Sequence, residues 1–152
     1  MIILLHPDKI IQFTPLIKEA LRHLVPKDSQ EEVGDMLLVD LVSGKIQAWL
    51  QFEEDNGERK VLGIVLTTQI QDPCLPIKDL LICGAYSQFH TSNGIWKESA
   101  ETLKRYARSR GCKRITAYTN VPRLIDLFKE IFGGERVMYC MANIEIPPWR
   151  DP

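Results

Sequence analysis

Leu80-Leu81-Ile82-Cys83-Gly84-Ala85, followed by Tyr86-Ser87-Gln88-Phe89-His90-Thr91-Ser92-Asn93-Gly94, is the stretch on which the reading of this chain turns. The first six residues form an apolar run of strand length, and the next nine form a polar loop. An amphipathic helix follows from about Ile95 to Arg110 and stops at Gly111. Beyond it the pattern predicts a short strand from Arg114 to Thr119, then a helix from Pro122 to Phe132 ended by Gly133-Gly134. A last strand is expected from Val137 to Ile146. Strand, polar loop, helix, strand, helix, strand is an α/β unit. Its first loop brings backbone N–H groups to a helix N-terminus, which suits an anion such as a pyrophosphate.

Working outward, apolar positions from Asp8 to Leu24 recur at helical spacing, with Pro7 before them and Pro26 after. Pro15 lies inside the pattern, so the helix is expected to begin with Thr14 as N-cap and Pro15 at its first position. Ser29 and Glu32 read as a capping box for a second helix that ends at Gly44. Lys45 to Glu53 alternates, with Ile46, Ala48, Leu50 and Phe52 on one side and Gln47, Trp49 and Gln51 on the other. That pattern predicts a half-buried strand. Asn56-Gly57 marks a hairpin, and Lys60 to Ile70 is the returning antiparallel strand. Met1 to Leu5 reads as an edge or first strand. The expected fold class is α/β of the α+β kind: a mixed, mostly antiparallel central sheet with helices on both faces, in the order β-α-α-β-β-β-α-β-α-β. No linker, repeat or low-complexity tract divides the chain, so 1–152 reads as one domain.

Composition excludes several classes of function. The chain has 152 residues, 45% hydrophobic and 26% charged, with a formal net charge of -1. Those are ordinary values for a globular domain and not those of a nucleic-acid binder, which needs a basic face. Lys104, Arg105, Arg108, Arg110, Lys113 and Arg114 form a local basic cluster, which the dipole of the long helix accounts for. Met1 to Leu5 is too short for a membrane span, so a cytoplasmic protein with no membrane partner is expected. Cys74, Cys83, Cys112 and Cys140 contain no C-x-x-C pair, and His6, His23 and His90 are scattered, so no metal site is read. Cys83 and Cys140 fall in apolar runs and are expected to be buried thiols.

With these residues in place, the chain resembles the GNAT superfamily of acetyl-CoA-dependent N-acetyltransferases. The resemblance covers nearly the whole element order and is strongest from Leu80 to Gly133. "ARSRGCKRITAYT" is similar to the family's passage from helix to fifth strand, and "NVPRLIDLFKEIFGG" to its fourth helix. The pattern also resembles phage-encoded GNAT-like proteins with a degenerate cofactor loop. The resemblance implies acetyl-CoA lying where the fourth and fifth strands part. Its pantetheine would pair with the backbone of Ile82, Cys83, Gly84 and Ala85, and its pyrophosphate would rest on Thr91, Ser92, Asn93, Gly94 and Ile95. Asn120 stands where the family has a residue before the fourth helix, and also suits an N-cap. An amine acceptor would attack the thioester, helped by a general base and a general acid.

The chain departs from the family pattern at two places. Of the signature Gln/Arg-x-x-Gly-x-Gly/Ala, only Gly94 remains, with Thr91 in place of the first residue and Trp96 in place of the last small one. The same loop reads as plain capping, with Thr91 or Ser92 as N-cap and Trp96 as core. Phe128 stands where the family's acidic tyrosine falls, and a phenyl ring has no proton to give. Tyr118 is therefore the expected acid, with Tyr86 as the alternative. For the base, Asp79, Glu53, Glu54 and His90 are the candidates. Two functions follow: an N-acyltransferase using acetyl-CoA, or a catalytically degenerate binding or assembly protein of the same fold. A homodimer through Trp49 and Pro147-Pro148-Trp149 is a further expectation.

Overall fold

The computed structural model describes residues 1–25, 27–89, 91–118 and 122–132. They fall into two compact units, Met1–Ala117 and Tyr118–Pro152, which are taken separately. The first unit contains β1 (Ile2–Leu4), α1 (Thr14–Leu24), α2 (Gln30–Val42), β2 (Ile46–Asp55), β3 (Glu58–Gln71), β4 (Lys78–Ser87), α3 (Asn93–Ser109) and β5 (Arg114–Ala117). In the second unit the described helix is α4 (Pro122–Phe132). The expected order is reproduced as far as α4. The strand expected over 137–146 lies outside the described residues, as do Cys140 and residues 147–149.

The five strands lie in the order β1-β2-β3-β4-β5. Every pairing is antiparallel except β4 with β5, which the α3 crossover makes parallel. The turn between β2 and β3 uses Asn56 and Gly57 at φ of 52° and 82°. Two successive positive φ values match the right-handed twist of the flanking strands, which is why Asn-Gly is found here. Gly111 ends α3 at φ 73°, the left-handed C-terminal position where glycine carries no Cβ penalty.

Helices cover both faces of the sheet. On one face Ile17, Ala20, Leu21, Leu37 and Leu41 of α1 and α2 pack against Ala48, Leu50, Ile64 and Leu66. On the other, α3 lays the Tyr106 ring edge-on to Trp49, with centroids 4.9 Å apart. Ser99 of α3 accepts a hydrogen bond from Gln51 at 3.1 Å and donates to the Ile95 carbonyl at 2.8 Å. The Trp49 indole donates to Thr67 at 2.9 Å.

This two-sided cover corrects the reading of β2 as half-buried. Ala48, Trp49, Leu50, Gln51 and Phe52 are all buried, because alternating residues face one helix layer or the other. Trp49, 3% exposed, is thereby unavailable as a dimer contact. Two cap readings are also corrected. Thr14 is the first helical residue, and Phe13 is the N-cap without a side-chain hydrogen bond. Ser29 occupies the cap position of α2, but its side chain bonds no helix N–H. In both places a 3-10 segment, Pro7–Phe13 or Lys27–Ser29, runs straight into the helix. The Thr14 N–H already bonds the Ile11 carbonyl, so a side-chain cap there has less to satisfy. A missing cap costs about 1 kcal/mol, whereas fully burying a leucine such as Leu37 or Leu41 contributes roughly 1.5–3 kcal/mol. Packing therefore decides these helices.

Ser99→Ala should leave the Gln51 amide buried without an acceptor and cost about 1–3 kcal/mol. Combining it with Gln51→Leu should recover most of that loss. Urea unfolding of the single and double variants measures both, and equal destabilisation of the two would contradict the pairing.

Candidate active site

The site begins where β5 stops accompanying β4. The parallel pairing runs Asp79↔Arg114, Leu80↔Ile115, Leu81↔Thr116 and Ile82↔Ala117. It is pinned at its start by Arg114, whose guanidinium donates to Asp79 at 2.9 and 2.6 Å and also to Asp72. Thr116 donates to the same Asp79 carboxylate at 3.3 Å. Asp79 is 3% exposed, so its charge is held by partners, as a buried carboxylate must be. That occupation removes it from the list of candidate bases. Asp72 lies below the ordinary carboxylate value because Arg114 donates to it.

Past Ile82, β4 runs on from Cys83 to Ser87 with β3 as its partner among the described residues. The register is irregular at this point. Leu66 faces Gly84 and Thr67 faces Ile82, so Cys83 is the extra residue of a bulge. A bulge bends its strand and re-aims its side chains. Cys83 is consequently exposed rather than buried as expected. Its sulfur still leans on the Leu66 carbonyl at 3.5 Å, and partial desolvation holds the thiol above its ordinary value. On the other side of this segment, β3 comes very close. A Cβ on Gly63 would overlap the Tyr86 carbonyl oxygen and approach Ser87 Cα to 2.9 Å. The segment is thus pressed onto β3 along one edge, and among the described residues no strand pairs with its other edge.

The same segment leads into α3. The Ser87 and Thr91 hydroxyls are 2.8 Å apart, tying the strand end to the loop. Ser92, extended at φ -68° and ψ 154°, is the N-cap, and its hydroxyl accepts the Ile95 N–H at 3.4 Å. Of the expected cofactor residues, Ile82 to Ala85 lie on β4, Thr91 and Ser92 lie before α3, and Asn93, Gly94 and Ile95 form its first turn. The structure therefore brings both groups to one end of the first unit. Trp96, in that turn too, is half-buried. Tyr118 directly follows β5 and is 68% exposed; it belongs to the second unit, as does Phe128, half-buried in α4. Glu53 and Glu54 are exposed at the hairpin end of β2. Asn120 and His90 lie outside the described residues.

An open groove of about 670 Å³ lies beside the end of β4. Gln12, Phe13, Pro15, Leu16 and Glu19, from the entry and first turns of α1, form one wall. Val61 of β3 with Tyr86, Gln88 and Phe89 forms the other. Tyr86 is held by His23 of α1, the two rings stacked at 4.9 Å and 16°. The His23 ring also meets Glu19 at 3.3 Å. Sequence reading singled out Tyr86 and left Glu19, His23, Phe13 and Phe89 aside. Glu19 and His23 are four apart on one helix face, but nothing in the sequence says which strand that face meets. Among the described residues no cluster of metal-binding side chains occurs, and no helix is long and apolar enough to cross a membrane.

Comparison with known proteins agrees with this architecture. The sequence matches no family model and no curated protein. Solved structures do match. A probable acetyltransferase superposes with a TM-score of 0.71 at 14% identity, covering 99% of both chains. A predicted acetyltransferase from Clostridium acetobutylicum, solved with acetyl-CoA, gives 0.69 at 15% identity over 95% of both chains. The ribosomal-protein-alanine N-acetyltransferase of Brucella melitensis biovar Abortus 2308 gives 0.64 at 19%, covering 96% of this chain and 99% of the other. At such identities the likeness establishes the fold: this chain has the GNAT acetyltransferase fold.

The Arg114 clamp makes a pH-dependent prediction. A depressed Asp72 carboxyl stabilises the folded state above the unfolded carboxylate value of about 3.9, and that contribution is lost as pH falls through the folded value. Arg114→Met should therefore lower the melting temperature at pH 6, and the gap to the parent protein should narrow as pH falls toward 2. A gap that stays constant across that range, read by circular dichroism, would contradict the clamp.

Proposed function

We propose that the protein is an acetyl-CoA-dependent N-acyltransferase that acts on an amine. The observation that carries this reading is the edge of β4 from Cys83 to Ser87, which among the described residues pairs with no strand but β3 and runs directly into the capped N-terminus of α3. An unpaired strand edge offers alternating N–H and C=O groups to an extended, amide-containing chain. Pantetheine is such a chain. Cys83 and Ala85 are small and exposed on this edge, which keeps the approach to the backbone open. At the loop end, a helix N-terminus favours a pyrophosphate through its dipole and its first-turn N–H groups. The neighbour solved with acetyl-CoA supports the same choice of acyl donor.

Gly94 fits this reading. Its backbone needs no positive φ, and among the described residues a Cβ there would meet only Ser92 Oγ, at 3.8 Å. Neither strain nor crowding among those residues calls for glycine, whereas close approach by a ligand would. Thr91, Ser92, Asn93 and Ile95 complete this cradle, and Ile82 to Ala85 hold the pantetheine.

The chemistry is direct transfer. An uncharged amine nitrogen attacks the thioester carbon, a C–N bond forms and the C–S bond breaks. The amine gives up one proton, and the departing thiolate takes one. A free amine with pKa near 10.4 is mostly protonated at neutral pH, so a base or water must first accept its proton. Tyr118, which follows β5 in the chain, is the proposed donor to the thiolate. The groove beside Tyr86 is the proposed acceptor site. A second reading, a fold kept for binding without chemistry, is favoured by Trp96, whose indole stands where the family keeps a small residue.

Acetyl-CoA at about a hundred times its dissociation constant should stabilise the protein by roughly 2.7 kcal/mol. Gly94→Glu adds a carboxylate where the helix dipole welcomes it, so the free protein should be no less stable. It should nevertheless lose the acetyl-CoA shift through repulsion of the phosphates. Thermal melts of both proteins with and without ligand test this. No shift in the parent protein would favour the binding reading, and an unchanged shift in Gly94→Glu would remove the loop from the site.

A further inference from the structure

The groove beside Tyr86 also carries information about which amine it takes. Resting on the acyltransferase reading above, we infer that the acceptor is a small monoamine with an apolar, aromatic-sized body, rather than a polyamine or another polycation. Three observations carry this.

The first is charge. Among the described residues that line the groove, Glu19 is the one carboxylate. It is already engaged: Arg22 donates to it at 2.8 Å, and the His23 ring lies at 3.3 Å. A second cation borders the opposite wall, where the Lys60 ammonium sits 3.8 Å from the centre of the Phe89 ring. One ammonium can share Glu19. A further ammonium group on the same ligand would find no second carboxylate among the described lining residues and would approach Arg22 or Lys60, and like charges brought together at a recognition site cost affinity.

The second is the apolar lining. Phe13, Leu16, Val61, Tyr86 and Phe89 supply rings and alkyl groups from both walls. Phe89 is 45% exposed although it is a large ring in an otherwise braced loop. Aromatic ligands gain from such walls through burial and offset or edge contacts. Tyr86 is pre-set for that role, because the His23 ring stacked on it fixes its plane.

The third is size. The open groove, about 670 Å³, has room for a small molecule. Some proteins of the same fold are aminoglycoside acetyltransferases, one solved with sisomicin. The charge arrangement here argues against that class of acceptor for this chain.

The test is isothermal titration calorimetry on the full chain without acetyl-CoA, using phenethylamine, spermidine and sisomicin as probes. Phenethylamine should bind at least about tenfold more tightly than either polycation, a difference of one decade in dissociation constant. Gln12→Glu places a second carboxylate on the groove wall and should narrow that preference by strengthening spermidine binding. Spermidine binding as tightly as phenethylamine, no binding of any probe, or a Gln12→Glu protein with unchanged selectivity would each overturn the inference. The donor is read separately by the acetyl-CoA melt. A clear acetyl-CoA shift with spermidine preferred sinks the groove assignment alone. The expected amine preference with no acetyl-CoA shift sinks the transferase reading alone.

Discussion

Arg114 reaches from β5 to two carboxylates, Asp79 on β4 and Asp72 in the loop before it. This clamp sits at one end of a parallel pairing only four residues long. Four residues beyond the clamp, β4 carries a bulge, and its described pairing with β5 has ended. The bulge at Cys83 uses the same β3 that closes on Tyr86 and Ser87 through Gly63. Among the described residues β4 is thus tied to different partners along its length: to β5 where Arg114 holds it, and to β3 alone where the backbone approach is closest.

The two helices before the meander give the gap its surroundings. α1 lies over the face of β4 that carries Gly84 and Tyr86, with Leu24 Cδ1 at 3.0 Å from where a Gly84 Cβ would stand. Its buried residues Ile17, Ala20 and Leu21 anchor it in the core. The neighbouring turn presents Glu19 and His23 to the groove and to Tyr86. Packing on one side of α1 therefore fixes recognition chemistry on the other. α3 does the corresponding work on the opposite face. Ser99, Leu103 and Ala107 are buried there, which aims its capped N-terminus at the loop leaving β4.

Element order was readable because period and punctuation agreed. Asn56-Gly57, Gly111 and Ser92 each perform the local role their chemistry allows. What could not be read depended on which layer faced which strand. Alternation along β2 looked half-wet because Gln47 and Gln51 are polar, yet Gln51 is buried by its bond to Ser99, 48 residues away. Cys83 looked like core because a bulge changes facing without changing composition. Thr14 and Ser29 have the right chemistry for caps but sit behind 3-10 turns. Asp79 stands among the candidate bases in the sequence, since its partner Arg114 lies 35 residues on. The groove was least legible of all, because Glu19, Val61 and Phe89 come from three separate elements.

The central claim is that the gap-facing edge of β4 from Cys83 to Ser87 is unpaired in the free protein and becomes paired with the acyl donor. Residue-resolved amide hydrogen exchange across β4, with and without acetyl-CoA, measures this directly. The account predicts rapid exchange at gap-facing amides between Cys83 and Ser87 in the free protein, strong slowing on adding acetyl-CoA, and little change from Lys78 to Leu81. Protection already complete in the free protein, or none gained with acetyl-CoA, would contradict it.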